Sequence, residues 1–212
     1  MIRSKNIAVF ASGTGSNFTS IHKAIQSGDI NGKIILLISN NSNCKAVEFA
    51  KKNGIKVFVI NKDIISDIVK YEDFLFKELE SAEIDLIVLA GYLKIIPLNI
   101  ISNYKNRILN IHPSLLPKFG GKGFYGMKVH RAVIESKEVF TGATVHFVDE
   151  IYDNGPIVMQ EKVSVLEHDD SESIARKVLA VEHKLLPYIV QKFCSGDIIF
   201  KDKTAIITGD EE

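Results

Sequence analysis

The chain has 212 residues, of which 46% are hydrophobic and 25% charged, which suits a single globular domain with a sizeable core. Its 26 basic residues balance 26 acidic ones, so no net charge attracts nucleic acid. Cys44 and Cys194 lack the spacing of a zinc site or a disulfide framework, and no stretch approaches the roughly 20 apolar residues of a membrane span. We therefore expect a cytoplasmic protein that binds neither nucleic acid nor membrane.

Short apolar runs alternate with helical patterns through the first half of the chain. The predicted strands cover 6–10, 33–39, 56–60, 86–90 and a run that ends at His112. The predicted helices between them cover 18–27, 45–53, 68–82 and 98–104. Strands that are apolar at nearly every position must be buried on both faces. The pattern thus predicts an α/β fold with a doubly wound, mainly parallel sheet.

The pattern changes after Pro117. Residues 118–127 include four glycines and predict a surface loop. A helix is predicted over 129–136, followed by two strands, 141–148 and 157–165, that are close enough to pair antiparallel. A long helix over 170–194 and a terminal strand pair over 198–207 complete the chain. We expect these to add antiparallel strands to the parallel sheet.

A glycine turn, Gly13-Thr14-Gly15-Ser16-Asn17, separates the first strand from the first helix. Such a turn places backbone N–H groups at the positive end of a helix, where they can hold a phosphate. A dinucleotide site is disfavoured because Phe18 occupies the third glycine position, and a Walker site is disfavoured because no lysine follows the loop. The prediction is a small phosphate held by Gly15, Ser16 and Asn17; the alternative is a tight turn in which Ser16 or Asn17 caps the helix.

Asn110 and His112 stand at alternating positions near the end of the fifth strand, so their side chains point to the same face. Ligands of an open parallel sheet collect beyond the carboxyl ends of its strands. Histidine can act there as an acid or base, and an asparagine amide can donate to a developing oxyanion. The alternative is a strand end with two solvated polar residues.

The pair lacks a carboxylate, and the loop 149–156 offers three acids, Asp149, Glu150 and Asp153. One of them beside His112 would orient it and favour its charged form. Spacing does not choose among the three.

Two other polar residues lie among apolar neighbours. The pattern predicts a structural, hydrogen-bonded role for His146 and a surface position for Glu182.

Four separate motifs together resemble the phosphoribosylglycinamide formyltransferases, the folate-dependent enzymes of purine synthesis. They occur in the same order along nearly the whole chain and read Gly13-Thr14-Gly15-Ser16-Asn17, Leu89-Ala90-Gly91-Tyr92, Asn110-Ile111-His112-Pro113-Ser114-Leu115-Leu116-Pro117, and Val145-His146-Phe147-Val148 followed by Asp153-Asn154-Gly155-Pro156.

The resemblance implies a Rossmann-like formyltransferase fold and a role for each matching residue. It implies that Asn110, His112 and Asp153 are catalytic, with Asp153 raising the pKa of His112 and Asn110 polarising the formyl group. It makes Gly15, Ser16 and Asn17 the phosphate site. It also gives Glu182 a contact with the substrate ribose, against the surface position that its pattern predicts. The segment that would line the folate pocket is Leu93, Lys94, Ile95 and Ile96, together with Asn110.

The implied reaction transfers a formyl group from 10-formyltetrahydrofolate, a co-substrate, to the amine of glycinamide ribonucleotide, without a metal. The expected partners are these small molecules, and the chain is expected to be a monomer or a weak homodimer. We expect one formyltransferase domain over 1–212, with a phosphate-binding half at about 1–105 and a folate and catalytic half at about 106–212.

Two related folate enzymes and one non-enzyme remain as alternatives. Formyltetrahydrofolate hydrolase and methionyl-tRNA formyltransferase share the motif, but each carries an additional domain for which 212 residues leave no room. A non-catalytic sugar-phosphate-binding module is the third. The resemblance assigns no role to His130, because the glycine-rich loop before it is longer than in other members.

Overall fold

The computed structural model describes residues 3–60, 67–202 and 204–209. The chain forms two compact units, Met1–Leu109 and Asn110–Glu212.

The first unit alternates strands with helices. Its strands are β1 (Lys5–Phe10), β2 (Gly32–Ser39), β3 (Lys56–Val59) and β4 (Leu86–Leu89). Its helices are α1 (Ser16–Gln26), α2 (Lys45–Lys52), α3 (Ile68–Ser81) and α4 (Leu98–Asn103). β1 pairs in parallel with β2 and with β4, and β2 pairs in parallel with β3. All four residues of β4 are buried, which explains why this strand is a continuous apolar run.

The second unit carries the antiparallel part of the fold. The boundary between the units falls within β5 (Ile108–His112). The elements that follow are α5 (Met127–Glu135), β6 (Phe140–Phe147), β7 (Ile157–Ser164), α6 (Ser171–Ser195), β8 (Ile198–Lys201) and β9 (Thr204–Ile207). β6 pairs antiparallel with β7, and β8 with β9.

The predicted start and end of the long helix are confirmed to within a residue. Asp170 caps α6 by accepting from the Ser173 N–H at 2.7 Å, while the Ser173 hydroxyl accepts from the Asp170 N–H at 3.0 Å. The helix ends at Gly196, whose φ of 81° few other residues adopt without strain.

Seven of the described strands form one sheet in the order β3-β2-β1-β4-β5-β6-β7, and β8 and β9 form a separate hairpin. This confirms the predicted α/β class with a mainly parallel sheet and antiparallel C-terminal additions. No helix in the described ranges is both long enough and apolar enough to cross a membrane.

Candidate active site

The end of β5 places Asn110 and His112 on one face, as their alternation predicts. His112 is only 4% exposed, whereas Asn110 is half-buried. The two residues are therefore not the solvated strand end that the alternative interpretation describes.

Asp153 is the acid of the β6–β7 loop that meets this strand end. Its Oδ2 lies 3.5 Å from His112 Nδ1, and its Oδ1 accepts from Asn110 Nδ2 over a long 3.4 Å. Asp149 instead accepts from the Ile151 N–H at 2.9 Å within its own turn, and Glu150 is exposed. The geometry thus makes the choice among the three acids that spacing could not make.

The first residues of the glycine-rich loop contact this cluster directly. The Phe119 carbonyl accepts from His112 Nε2 at 2.8 Å, and the Gly121 N–H donates to Asp153 Oδ2 at 2.8 Å. A Cβ on Gly120 would lie 2.5 Å from Leu116 Cδ2 and 3.3 Å from Asp153 Cβ, so a side chain there would require Leu116 to shift. The predicted surface loop is exposed at residues 122–126 and half-buried at residues 119–121, where its backbone contacts the cluster.

The hydrogen bond to Phe119 fixes which nitrogen of His112 carries a proton. A carbonyl oxygen can only accept, so Nε2 is the protonated nitrogen, and Nδ1, facing Asp153, is the atom that gains or loses a proton. Burial lowers the pKa of His112 below its usual value, and this effect outweighs the raising influence of Asp153 and of the Phe119 carbonyl. The expected influence of Asp153 therefore has the right sign, but the net pKa shift is downward, and the resting imidazole is neutral at pH 7.

The carboxyl group of Asp153 is ionised beside this neutral ring. Burial alone would raise the pKa of Asp153, but contacts with His112 and the Gly121 N–H together lower it. The site therefore holds a fixed negative charge next to a histidine that can accept a proton.

The buried histidines predict how stability depends on pH. Burial lowers the pKa of both His112 and His130, so the unfolded chain takes up protons first as the pH falls below the ordinary histidine value of about 6.5. We expect the free energy of unfolding to be fully maintained above that pH and to decrease as the pH falls towards the folded-state pKa values. Urea titrations at several pH values measure this. His130→Asn should reduce the slope of the free energy of unfolding against pH. A slope unchanged in that variant would contradict the assignment; His168→Gln, at an exposed histidine, is the matched control.

His146 is a member of the cluster that sequence reasoning assigned only a structural role. Its Nδ1 donates to the Phe147 carbonyl at 2.9 Å, in agreement with the predicted hydrogen bond. Its Nε2, however, lies 3.0 Å from Asn110 Nδ2 and 3.6 Å from Asp153 Oδ1. The available sequence signal was that His146 lies in the strand leading directly into the Asp153 loop.

In the first unit, the predicted phosphate residues form the start of α1. Gly15 precedes the helix with a φ of 69°, and a Cβ there would lie 2.7 Å from Ala46 Cβ and 2.9 Å from Ala46 Cα. No side chain caps this end of the described helix, and its first turn contains no acidic residue. The capping alternative for Ser16 or Asn17 is therefore wrong, and the helix end has the electrostatic character that a phosphate needs.

The predicted folate segment, Leu93 to Ile96, is also in the first unit. The Ser12 hydroxyl accepts from the Leu93 N–H at 3.0 Å and donates to Asn40 Oδ1 at 2.5 Å, while the Tyr71 hydroxyl donates to the Ile95 carbonyl at 3.4 Å. These hydrogen bonds hold the backbone of this segment to other residues of the first unit. The side chains of Leu93 and Ile95 remain 57% and 64% exposed, which suits a flat apolar ligand.

Glu182 and His130 are both buried in the second unit. Glu182 lies on the buried side of α6 with 7% exposure, so the surface position that its pattern predicted is wrong. The pattern failed because Glu182 lies one helical turn from Val178 and Leu186, on the same buried side of α6. His130 lies in α5 with 6% exposure, and its buried Nδ1 has no hydrogen-bond partner among the described residues.

Within the described ranges, no group of three or more His, Cys, Asp or Glu side chains has an arrangement that could hold a metal ion.

The model of the family described as formyl transferase matches residues 5–190, and the α/β fold with asparagine, histidine and aspartate around one strand end is consistent with that class. The chain is 45% identical over 211 residues to the chloroplastic phosphoribosylglycinamide formyltransferase of Vigna unguiculata, covering 99% of this chain and 68% of that protein. It is 37% identical over 205 residues to phosphoribosylglycinamide formyltransferase of Haemophilus influenzae, covering 97% and 94%. The crystal structure of glycinamide ribonucleotide transformylase 1 from Symbiobacterium toebii matches with a TM-score of 0.90 at 32% identity, covering 97% and 95%. The chain belongs to the phosphoribosylglycinamide formyltransferases.

Proposed function

We propose that this chain transfers the formyl group of 10-formyltetrahydrofolate to the amine of glycinamide ribonucleotide in purine synthesis. The observation that carries the proposal is the convergence of His112, Asp153 and Asn110 at one strand end, with His112 Nδ1 3.5 Å from Asp153 Oδ2. Family membership supports both the reaction and its substrates.

Asn110 is proposed to stabilise the charge that develops in the reaction. The folate supplies the formyl group when it is bound. As the amine attacks, negative charge develops on the formyl oxygen, and the Asn110 Nδ2–H donates to it. A donor of this kind contributes on the order of 2.7–4 kcal/mol to transition-state stability.

His112 is proposed to handle the proton of the attacking amine. Its neutral resting form can accept that proton, directly or through water, and the Asp153 carboxylate beside Nδ1 stabilises the resulting imidazolium. The same proton can then pass to the departing nitrogen, directly or through water.

Three further sets of residues are proposed to hold the substrates. Gly15, Ser16 and Asn17 bind the ribose phosphate at the start of α1, and Glu182 contacts the ribose. Residues 93–96 line the folate pocket, in which the exposed side chains of Leu93 and Ile95 cover the flat ring.

Gly15→Ala tests the phosphate site. The variant forces a side chain onto a left-handed residue and against Ala46, so the turn must shift. We expect the KM for glycinamide ribonucleotide to rise by about 10-fold or more, equivalent to about 1.4 kcal/mol of lost binding, with a smaller change in kcat. Steady-state kinetics measure both.

Gly54→Ala is the matched control, because Gly54 has nearly the same φ, 67° against 69°, but open space around a Cβ. It introduces the same backbone strain without the clash and outside the turn. An equal rise in KM in both variants would contradict the phosphate site.

The function itself is tested by incubating the purified chain with both substrates and following loss of the formyl donor. Loss that depends on glycinamide ribonucleotide supports the proposal, and its absence would refute it. Loss without any amine would indicate the hydrolase, and transfer to methionyl-tRNA would indicate that related enzyme. Binding of the sugar phosphate without turnover would indicate a non-catalytic module.

We further propose that the chain acts as one formyltransferase domain, as a monomer or weak homodimer in the cytoplasm, without nucleic-acid or membrane partners. The buried, unbridged Cys44 and Cys194 suit a reducing compartment. Sedimentation of the purified chain tests its oligomeric state.

A further inference from the structure

His146 occupies an unusual position in β6. It is 2% exposed, and the register between β6 and β7 shifts between Val145 and His146. Irregularities of this kind redirect a side chain and are frequent beside active sites. The extra residue of this irregularity is Val158 in β7, opposite His146, and the His146 ring contacts both Asn110 and Asp153.

The bond to Phe147 determines which nitrogen of a neutral His146 is protonated. The carbonyl oxygen accepts from Nδ1 at 2.9 Å, so Nδ1 carries the hydrogen. Nε2 then has a free lone pair, which accepts from Asn110 Nδ2 at 3.0 Å. Neutral His146 is thus a hydrogen-bond acceptor towards Asn110.

Two acceptors therefore lie on the same side of the Asn110 amide nitrogen. His146 Nε2 and Asp153 Oδ1 are 3.6 Å apart, and Nδ2 of Asn110 reaches the first at 3.0 Å and the second at 3.4 Å. A carboxamide turned by 180° would place its oxygen against both acceptors, which is electrostatically unfavourable. The angle that these distances define at Nδ2 is smaller than the angle between its two N–H bonds, so both acceptors face the same amide hydrogen, and the shorter bond is to His146. The other amide hydrogen points away from both acceptors.

We propose that His146 is a positioning residue: by holding one Nδ2 hydrogen of Asn110, it aims the other at the formyl oxygen. This inference rests on the proposed function. The hydrogen that points away from both acceptors is the one that meets the substrate oxygen, and the bond to His146 persists throughout. Without the acceptor at Nε2, the carboxamide rotates and presents its oxygen instead of its N–H to the substrate.

Two substitutions of His146 separate this role from simple packing. The amide of His146→Asn overlies Nδ1 and keeps the donor to Phe147, but it removes the acceptor at Nε2. The longer side chain of His146→Gln reaches the position of Nε2 and restores an acceptor for Asn110. Loss of one oxyanion donor costs about 10²- to 10³-fold in kcat. We expect His146→Asn to lose about 10²-fold in kcat with little change in either KM, and His146→Gln to stay within about 10-fold of wild type.

Coupling to Asn110 provides a second readout. If His146 acts through Asn110, the double variant Asn110→Ala/His146→Asn should be no slower than Asn110→Ala alone. Equal loss in the Asn and Gln variants, or additive losses in the double variant, would overturn the proposal.

A measurement on the wild-type chain avoids any variant that fails to fold. Nitrogen-15 NMR of the imidazole should show His146 protonated at Nδ1 with Nε2 acting as an acceptor; a proton on Nε2 at pH 7 would overturn the proposal. Turnover by the wild-type enzyme is measured first. Its absence refutes the proposed function, whereas normal turnover with the wrong His146 tautomer refutes only the positioning role.

Discussion

Asp153→Asn is expected to lower kcat by about 10²- to 10⁴-fold while the chain stays folded. The substituted side chain has the same size, can still accept from the Gly121 N–H, and tolerates the left-handed φ of 52° at this position. It lacks the charge that stabilises His112 once the ring accepts a proton at Nδ1. The loss should therefore appear in kcat and in kcat/KM, with the affinity for glycinamide ribonucleotide nearly unchanged.

Steady-state kinetics with circular dichroism on the same preparations measure this effect. Glu150→Gln is the matched control, because it makes the same chemical change three residues earlier in the loop, at an exposed position. Asp153→Asn with kcat within a few-fold of wild type would contradict the role of the carboxylate. Equal losses in both variants would point to the charge of the loop as a whole.

The fold was largely predictable because patterns that are local in the sequence determine most of its elements. Buried parallel strands such as β4 are apolar at every position, and the capping residues of α6 are local in sequence, so both could be recognised without tertiary information. The glycine-rich loop was harder. Its composition indicates a surface loop, yet the polar backbone groups at Phe119 and Gly121 are held by side chains that lie elsewhere in the sequence.

The types of residue in the candidate site were predictable from the sequence, but the contacts between them were only partly so. Asn110 and His112 follow from the alternation within one strand. The choice of Asp153 needed either a resemblance or a structure, because Asp149 and Glu150 have the same chemistry within four residues. Glu182 and His146 were assigned the wrong or an incomplete role, since burial and contacts with distant residues leave no mark on the local pattern.

The protonation state of His112 illustrates why the geometry changes the chemistry. A carboxylate neighbour alone would favour the imidazolium, but the cost of burying a charge is larger, so the ring rests neutral. A neutral ring beside an ionised carboxylate is suited to receive a proton from the attacking amine. The sequence specifies both partners, but the balance between these two opposing effects depends on the burial of the ring in the folded chain.

Gly155→Ala is expected to produce the second large effect, through the backbone that carries Asp153. Gly155 is buried two residues after Asp153, and a Cβ there would overlap the carbonyl oxygen of Phe147 and lie 3.2 Å from the Asp149 nitrogen. The same carbonyl oxygen accepts from His146 Nδ1. The extra methyl group must therefore displace the loop, the end of β6, or both, and with them the atoms that position Asp153 and His146.

We expect Gly155→Ala to reduce the free energy of unfolding by about 1–3 kcal/mol, the usual cost of forcing atoms into a packed site. We also expect kcat to fall by about 10²-fold, because misplacing catalytic groups by about 1 Å costs that much. Urea titration and steady-state kinetics measure the two effects separately. Gly13→Ala is the stability control, because a Cβ on Gly13 meets nothing within 4 Å. If Gly155→Ala destabilised the chain but left kcat intact, the position of Asp153 would not depend on this contact, and the tight approach of Gly155 to Phe147 would serve folding alone.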